Sequence, residues 1–164
     1  LIAHLALTDY DLGGYSLGSR TVARMLARGA TPARVVFAGM GLEGLTHTSR
    51  RVAHFRHVLT NLGRFAPGTA GFNVQAFLKS TKGDPVALLH ILDTFTDTDE
   101  AVIRALDVPA LVLCGEEDRD NGSAPDLAAA LPRGALVEVP GGHMSAVTKP
   151  ELGHALAEWL ATAA

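Results

Sequence analysis

Residues 14–18, Gly-Tyr-Ser-Leu-Gly, decide the fold because they join a predicted strand, residues 10–15, to a predicted helix, residues 17–28. The helix is indicated by apolar residues that recur on one face. A serine at such a sharp turn, here Ser16, needs strained backbone angles and no bulky neighbours, and the two glycines supply both. Its hydroxyl would stand clear at the end of the strand. The helix N-terminus behind it would favour developing negative charge.

Three further strands are predicted along the chain, at residues 34–38, 110–114 and 135–139. Strands that alternate with helical patterns indicate an α/β fold with a mainly parallel sheet, here of about four strands flanked by helices. A long helical stretch separates the second strand from the third. We therefore expect residues 1–44 and 107–164 to form two parts of one core, and residues 45–106 to form a helical insertion.

The composition excludes several classes of protein. The chain has 164 residues, of which 48% are hydrophobic and 19% are charged, so disorder is excluded. A net charge of −3 gives no basic surface for nucleic acid, and no run reaches the roughly 18 apolar residues of a membrane span. The lone Cys114 excludes an intramolecular disulfide and fits a reducing compartment. We expect a soluble cytoplasmic domain.

Charges are segregated within the helical insertion. Residues 44–83 contain six Lys or Arg and no acid, whereas residues 84–100 contain five acids and no base. One interpretation is that two helical faces neutralise each other, which is the usual role of such charge runs. The other is a basic lid that favours anionic substrates.

Two polar loops follow the third and fourth predicted strands. Gly-Glu-Glu-Asp, ending at Asp118, follows the third, and Pro-Gly-Gly-His, ending at His143, follows the fourth. Parallel strands end at one edge of a sheet, where open α/β sheets bind ligands, so we expect both side chains to converge on Ser16. A histidine on a glycine-flanked loop suits a general base. Asp120 is an alternative to Asp118, and an exposed acidic turn is another interpretation of that loop.

Two other patterns suggest ligand sites that we do not favour. Residues 39–44 match G-x-G-x-x-G, but a dinucleotide site needs an acid about 20 positions later, and none occurs before Asp84. The glycines are better interpreted as a turn. His54 and His57 lie one helical turn apart, a spacing that could hold a metal, but no third ligand is evident. The sequence therefore predicts neither a metal nor a cofactor site.

The order Ser16, Asp118, His143, each after its own strand, resembles the α/β-hydrolase fold superfamily, in which serine, acid and histidine follow in that order. The resemblance implies that Ser16 is the nucleophile, His143 the general base and Asp118 the residue that orients the histidine. It also implies that the Leu17 amide is one oxyanion-hole donor, and that residues 45–106 form the cap that shapes the substrate pocket. No cofactor is implied.

The resemblance covers the C-terminal portion of such an enzyme. Family members carry four further strands before the nucleophile strand, and the loop after their third strand supplies the second oxyanion donor. Nothing before Tyr10 resembles these, since residues 1–7 are predicted as the tail of a helix. We therefore expect the free side of the first strand to be apolar and to promote self-association.

The function that the resemblance implies is that of a serine hydrolase cleaving an ester or related small acyl substrate through an acyl-enzyme. A cofactor-free haloperoxidase, an acyltransferase or a C–C bond hydrolase would use the same three residues. The alternative from another class is a non-catalytic α/β-hydrolase-like fragment or interaction module. The shape of the substrate pocket decides which molecule accepts the acyl group, and the sequence does not give that shape, so these alternatives stay open.

Overall fold

The computed structural model of this chain describes residues 1–162. Their contacts divide the chain into two compact units. The core unit contains residues 1–46 and the chain from Thr98 onward, and the helical unit contains His47–Asp97. None of the helices within residues 1–162 has the length and apolarity that crossing a bilayer requires.

The core unit contains one parallel sheet of four strands in the order β1-β2-β3-β4. The strands are β1 (Asp11–Tyr15), β2 (Arg34–Ala38), β3 (Ala110–Gly115) and β4 (Gly134–Val139). The predicted α/β class and parallel sheet are confirmed. Because all four strands run the same way, the residues that follow their carboxyl ends meet at one edge of the sheet.

The described residues also form nine helices. In chain order, they are α1 (Leu17–Ala27), α2 (Leu42–Thr46), α3 (Ser49–Thr60), α4 (Ala70–Ser80), α5 (Pro85–Asp93), α6 (Glu100–Arg104), α7 (Ala124–Ala130), α8 (His143–Ala146) and α9 (Pro150–Ala161).

The two faces of the sheet are buried against different helices. Alternate strand residues such as Phe37 and Val112 pack against α1 and α7 in one cluster. Their neighbours, Leu111 and Leu113 among them, pack against α8 and α9 in the other. A sheet covered on both faces explains why β2 and β3 are continuous apolar runs without the alternation of a half-exposed strand.

The helical unit consists mainly of α3, α4 and α5 around a small apolar cluster centred on Leu59, Leu78 and Leu92. Helix α5 begins where the Asp84 side chain accepts the amides of the first turn. An ion pair joins Arg56 of α3 to Asp93 of α5 at 2.6 Å. This contact favours the interpretation in which basic and acidic helical faces neutralise each other.

The first residues of the chain differ from the prediction of a helix tail. Residues 2–6 form hydrogen-bonded turns, in which the Leu5 amide donates to the Leu1 carbonyl at 2.9 Å. Ala6 then adopts a φ of 50°, which right-handed helical winding does not allow. The turn therefore closes without propagating into a helix.

Candidate active site

Ser16 occupies the sharp turn between β1 and α1. Its φ of 53° and ψ of −108° lie in a region that costs a non-glycine residue about 1–3 kcal/mol. The Ser16 amide donates to the Ala38 carbonyl at 2.8 Å, which ties the turn to the end of β2. The surrounding fold thus holds this serine in a conformation it would not adopt alone.

The two glycines of the turn have different roles. A Cβ at Gly14 would lie 2.3 Å from the carbonyl carbon of Gly18, so only glycine fits there. A Cβ at Gly18 would meet no atom within 4 Å. The expectation that both glycines remove steric bulk is therefore wrong for Gly18, because its missing side chain would point into open space.

Ser19 supports the same turn from inside the core. It is fully buried, and its hydroxyl lies 2.7 Å from the Gly14 carbonyl and 2.9 Å from the Ala38 carbonyl. Because the Ser19 hydroxyl is within hydrogen-bond distance of a carbonyl on each strand, it links the ends of β1 and β2 next to Ser16. Sequence reasoning missed Ser19, whose only signal is a small polar residue on the apolar face of α1.

The three predicted site residues meet at the carboxyl edge of the sheet. The Ser16 Oγ lies 2.9 Å from the His143 Nε2, and the His143 Nδ1 lies 2.8 Å from the Asp118 Oδ2. In a neutral imidazole, Nδ1–H would donate to the carboxylate and Nε2 would accept the serine hydroxyl. The His143 and Asp118 side chains are only 9% and 2% exposed, so these hydrogen bonds are largely shielded from water.

Both oxygens of the Asp118 carboxylate make hydrogen bonds. Its Oδ1 accepts the Asp120 amide at 3.0 Å, while its Oδ2 faces His143. Burial alone would raise the pKa of Asp118, but the hydrogen bonds from His143 and from the Asp120 amide outweigh it, and the pKa lies below its usual value. Of the two aspartates considered, Asp118 contacts the imidazole, and Asp120 contributes its main-chain amide to Asp118.

A buried thiol also lies near the Asp118 oxygen that faces His143. The Cys114 Sγ is 3.8 Å from the Asp118 Oδ2. Burial and the nearby Asp118 charge raise the pKa of Cys114 to about 11. The thiol therefore stays protonated and adds a weak donor to Asp118.

The glycine-rich loop after β2 packs against the loop that carries Asp118. The Asn121 side chain donates to the Gly39 carbonyl at 2.9 Å, and the Asn121 carbonyl accepts the amides of Gly41 and Gly44. A Cβ at Gly41 would lie 2.3 Å from the Gly122 carbonyl carbon. The two loops approach each other so closely that Gly41 has no room for a side chain. This contact accounts for the glycine without a bound dinucleotide, so it favours the turn interpretation. Asn121 is buried, in contrast to the exposed turn considered from the sequence.

Leu17 is the first residue of α1, next to Ser16. The first amides of a helix have no intrahelical acceptor, and the helix dipole adds positive potential there. The Leu17 amide is thus available at the position where an oxyanion donor is predicted.

No group of three His, Cys, Asp or Glu side chains within residues 1–162 could hold a metal ion. His54 and His57 lie exposed on α3. Their rings make edge contacts with Phe55 and Phe65, at centroid distances of 5.7 Å and 5.8 Å.

Comparison with solved structures identifies the fold. No protein-family model matches the chain, and no curated protein sequence matches it significantly. Solved structures do match: an α/β-hydrolase enzyme from a Medee basin deep-sea metagenome library has a TM-score of 0.71 at 16% identity. The match covers 99% of this chain and 69% of that one. This chain has the α/β-hydrolase fold.

Two other solved structures share this α/β-hydrolase fold. A thermophilic esterase from Thermogutta terrifontis has a TM-score of 0.70 at 22% identity, over 97% of this chain and 67% of its own. A bromoperoxidase from Bacillus anthracis has a TM-score of 0.64 at 21% identity, over 98% and 70%. The chain thus spans 67–70% of the length of these three solved structures. The predicted fold is confirmed, whereas the catalytic roles of the site residues stay predictions.

Proposed function

We propose that the protein is a serine hydrolase that cleaves an ester or related small acyl substrate. The observation that carries the proposal is the continuous hydrogen-bonded series from Ser16 through His143 to Asp118, at 2.9 and 2.8 Å. A nucleophile in contact with a base that is oriented by a third group is the arrangement that activates a serine. The α/β-hydrolase fold of the esterase and bromoperoxidase structures supports this choice by analogy.

In the proposed reaction, the Ser16 Oγ attacks the substrate carbonyl carbon while its proton passes to the His143 Nε2. The Leu17 amide donates to the oxyanion that forms. The carbon–oxygen bond to the leaving alcohol then breaks, and the alcohol takes the proton from His143. A water molecule then attacks the acyl carbon while His143 takes its proton, the bond between the acyl carbon and the Ser16 Oγ breaks, and His143 returns the proton to Ser16 as the acid leaves.

Asp118 has an electrostatic role in this scheme. Its lowered pKa means that it is ionised throughout the neutral range. A buried carboxylate 2.8 Å from Nδ1 holds the imidazole in one tautomer and stabilises the imidazolium of the first step. Asp118 itself does not take the proton.

We assign the predicted cap role to the insertion between β2 and β3. Its helices expose large apolar side chains, Phe77 and Ile91 among them, which suit contact with an apolar part of a substrate. Such a role would let the insertion select substrates while the core unit performs the chemistry.

The strained backbone of Ser16 favours an enzyme over a non-catalytic module. The combination of φ 53° and ψ −108° lies outside the left-handed helical region that ordinary turn residues adopt, and such strain clusters at functional sites. An interaction module would need neither this conformation nor a serine hydroxyl 2.9 Å from an imidazole.

The proposal is tested by the hydrolysis of an activated phenyl ester. Ser16→Ala should lower kcat by at least about 10⁴-fold, because the atom that forms the acyl bond is removed. Ser80→Ala is the matched control, since Ser80 lies exposed at the end of α4 and its hydroxyl only donates to the Phe77 carbonyl. Full activity in Ser16→Ala would place the chemistry elsewhere.

A further inference from the structure

Tyr15 is the last residue of β1 and directly precedes Ser16. Its hydroxyl donates to the main-chain carbonyl of His143 at 2.5 Å, although the two residues are 128 positions apart. Its ring also lies beside the imidazole, with centroids 5.3 Å apart and planes tilted by 36°. One side chain therefore contacts both the main chain and the ring of His143.

The position of the tyrosine ring is itself fixed. Gly39 has a φ of 57°, and a Cβ there would come within 2.7 Å of the ring of Tyr15. The ring thus lies close against glycine backbone at the end of β2, and any larger residue at position 39 would displace it. Burial and the charge of Asp118 raise the pKa of the Tyr15 phenol, so the hydroxyl remains a donor well above neutral pH.

The carbonyl that Tyr15 binds lies at the start of a very short helix. His143 is the first residue of α8, which is a single helical turn. The amide that follows this turn, that of Val147, donates to the Ser145 carbonyl and not to that of His143. A one-turn helix has little intrinsic stability, so the orientation of His143 depends on contacts from outside the loop.

We propose that Tyr15 is a positioning residue that holds the His143 imidazole in line between Ser16 and Asp118. The inference rests on the proposed function, and it assigns Tyr15 no contact with substrate. Tyr15 acts through two contacts, the hydroxyl on the carbonyl of His143 and the ring beside the imidazole. Because Tyr15 is adjacent to Ser16 in the chain, it couples the nucleophile and the base through one rigid residue.

Tyr15→Phe tests the hydroxyl while keeping the ring. Loss of one hydrogen bond of this kind should shift the equilibrium between the aligned and displaced orientations of His143 about tenfold. We therefore expect kcat for an activated ester to fall about tenfold. KM should stay unchanged, because the hydroxyl contacts His143 and no substrate. Tyr15→Leu, which also removes the ring, should lower kcat further.

Tyr10→Phe is the matched control. The Tyr10 hydroxyl also makes one hydrogen bond, accepting the Thr31 amide at 3.1 Å, but Tyr10 precedes β1 at the end opposite to Ser16. Tyr10→Phe should leave kcat unchanged and lower the midpoint of thermal unfolding by no more than Tyr15→Phe does, because its hydrogen bond is exposed and that of Tyr15 is half-buried. The kcat of both variants is therefore measured well below their unfolding midpoints. A loss of kcat confined to Tyr15→Phe would then show positioning rather than general destabilisation.

A second measurement does not depend on turnover. The proton on the His143 Nδ1, hydrogen-bonded to Asp118, should give a strongly deshielded NMR resonance that is sharp in the unchanged chain and in Tyr10→Phe, and broadened or lost in Tyr15→Phe. An unchanged resonance together with unchanged kcat in Tyr15→Phe would overturn the inference. If Ser16→Ala leaves ester hydrolysis intact, the proposed function fails, and the NMR comparison still decides whether Tyr15 positions His143.

Discussion

The core unit and the helical unit are both rich in helices, but they bury their apolar residues to different extents. In the core unit, Phe37, Leu111 and Leu113 are completely inaccessible to solvent. In the helical unit, Val58 is also completely inaccessible, but the central cluster of Leu59, Leu78 and Leu92 is small. The difference therefore lies in the size of the buried clusters, which contain fifteen and six buried residues in the core unit and three in the helical unit, among the residues that the structure describes.

The placement of the candidate site follows this difference. Ser16, Asp118 and His143 each lie within a few residues of the carboxyl end of a core strand, and none of the three belongs to the helical unit. Catalytic groups need positions fixed to a fraction of an ångström, which a packed sheet edge provides. Substrate selection, the role proposed above for the insertion, tolerates more variation in the positions of side chains.

The largest effect expected from a comparison of the two units is the loss of activity when a carboxylate of the core unit is replaced and one of the helical unit is not. Asp118→Asn should lower kcat for an activated ester by about 10³–10⁴-fold, because an amide can neither fix the tautomer of His143 nor stabilise the imidazolium. Asp93→Asn is the control in the helical unit, where the carboxylate forms an exposed ion pair with Arg56. Asp120→Asn should also keep most of the activity, because Asp120 binds Asp118 through its main-chain amide, which this substitution retains.

These rates are measured from the initial hydrolysis of one ester by all three variants. Equal losses in Asp118→Asn and Asp93→Asn would contradict the division of roles between the units. A greater loss in Asp120→Asn than in Asp118→Asn would transfer the orienting role to Asp120.

Substitutions in the two apolar clusters should change the free energy of unfolding, and they test the difference in packing between the two units. Phe37→Ala should destabilise the core unit by about 3–5 kcal/mol, a large share of a typical domain's stability. Leu78→Ala should cost about 2–5 kcal/mol, but only in the helical unit. Amide hydrogen exchange should therefore accelerate throughout the chain in Phe37→Ala, and only within His47–Asp97 in Leu78→Ala. Faster exchange of β3 amides in Leu78→Ala would show that the units unfold together.

Local patterns were sufficient to predict the fold class and the approximate position of each strand. The strands are short apolar runs bounded by turns, and the glycine-flanked Ser16 indicates the turn between β1 and α1. The convergence of Ser16, Asp118 and His143 followed from the geometry of a parallel sheet, whose strand ends share one edge.

Contacts between residues distant in sequence could not be predicted in this way. Tyr15 bonds to a carbonyl 128 positions later, and Asn121 bonds to one 82 positions earlier, so no local pattern indicates either bond. The different roles of Gly14 and Gly18 depend on which way a Cβ would point in the folded turn. The turns in residues 2–6 have helix-forming composition but end at the positive φ of Ala6.

Labelling of the chain with a fluorophosphonate tests the central claim most directly, because the probe reacts with an activated serine and needs little substrate recognition. Peptide mass spectrometry after labelling should find the adduct on Ser16, with the same yield in Ser80→Ala and none in Ser16→Ala. The adduct should also be lost in His143→Ala, which removes the base 2.9 Å from the Ser16 Oγ. No adduct on Ser16, or labelling of Ser16 that persists in His143→Ala, would contradict the account.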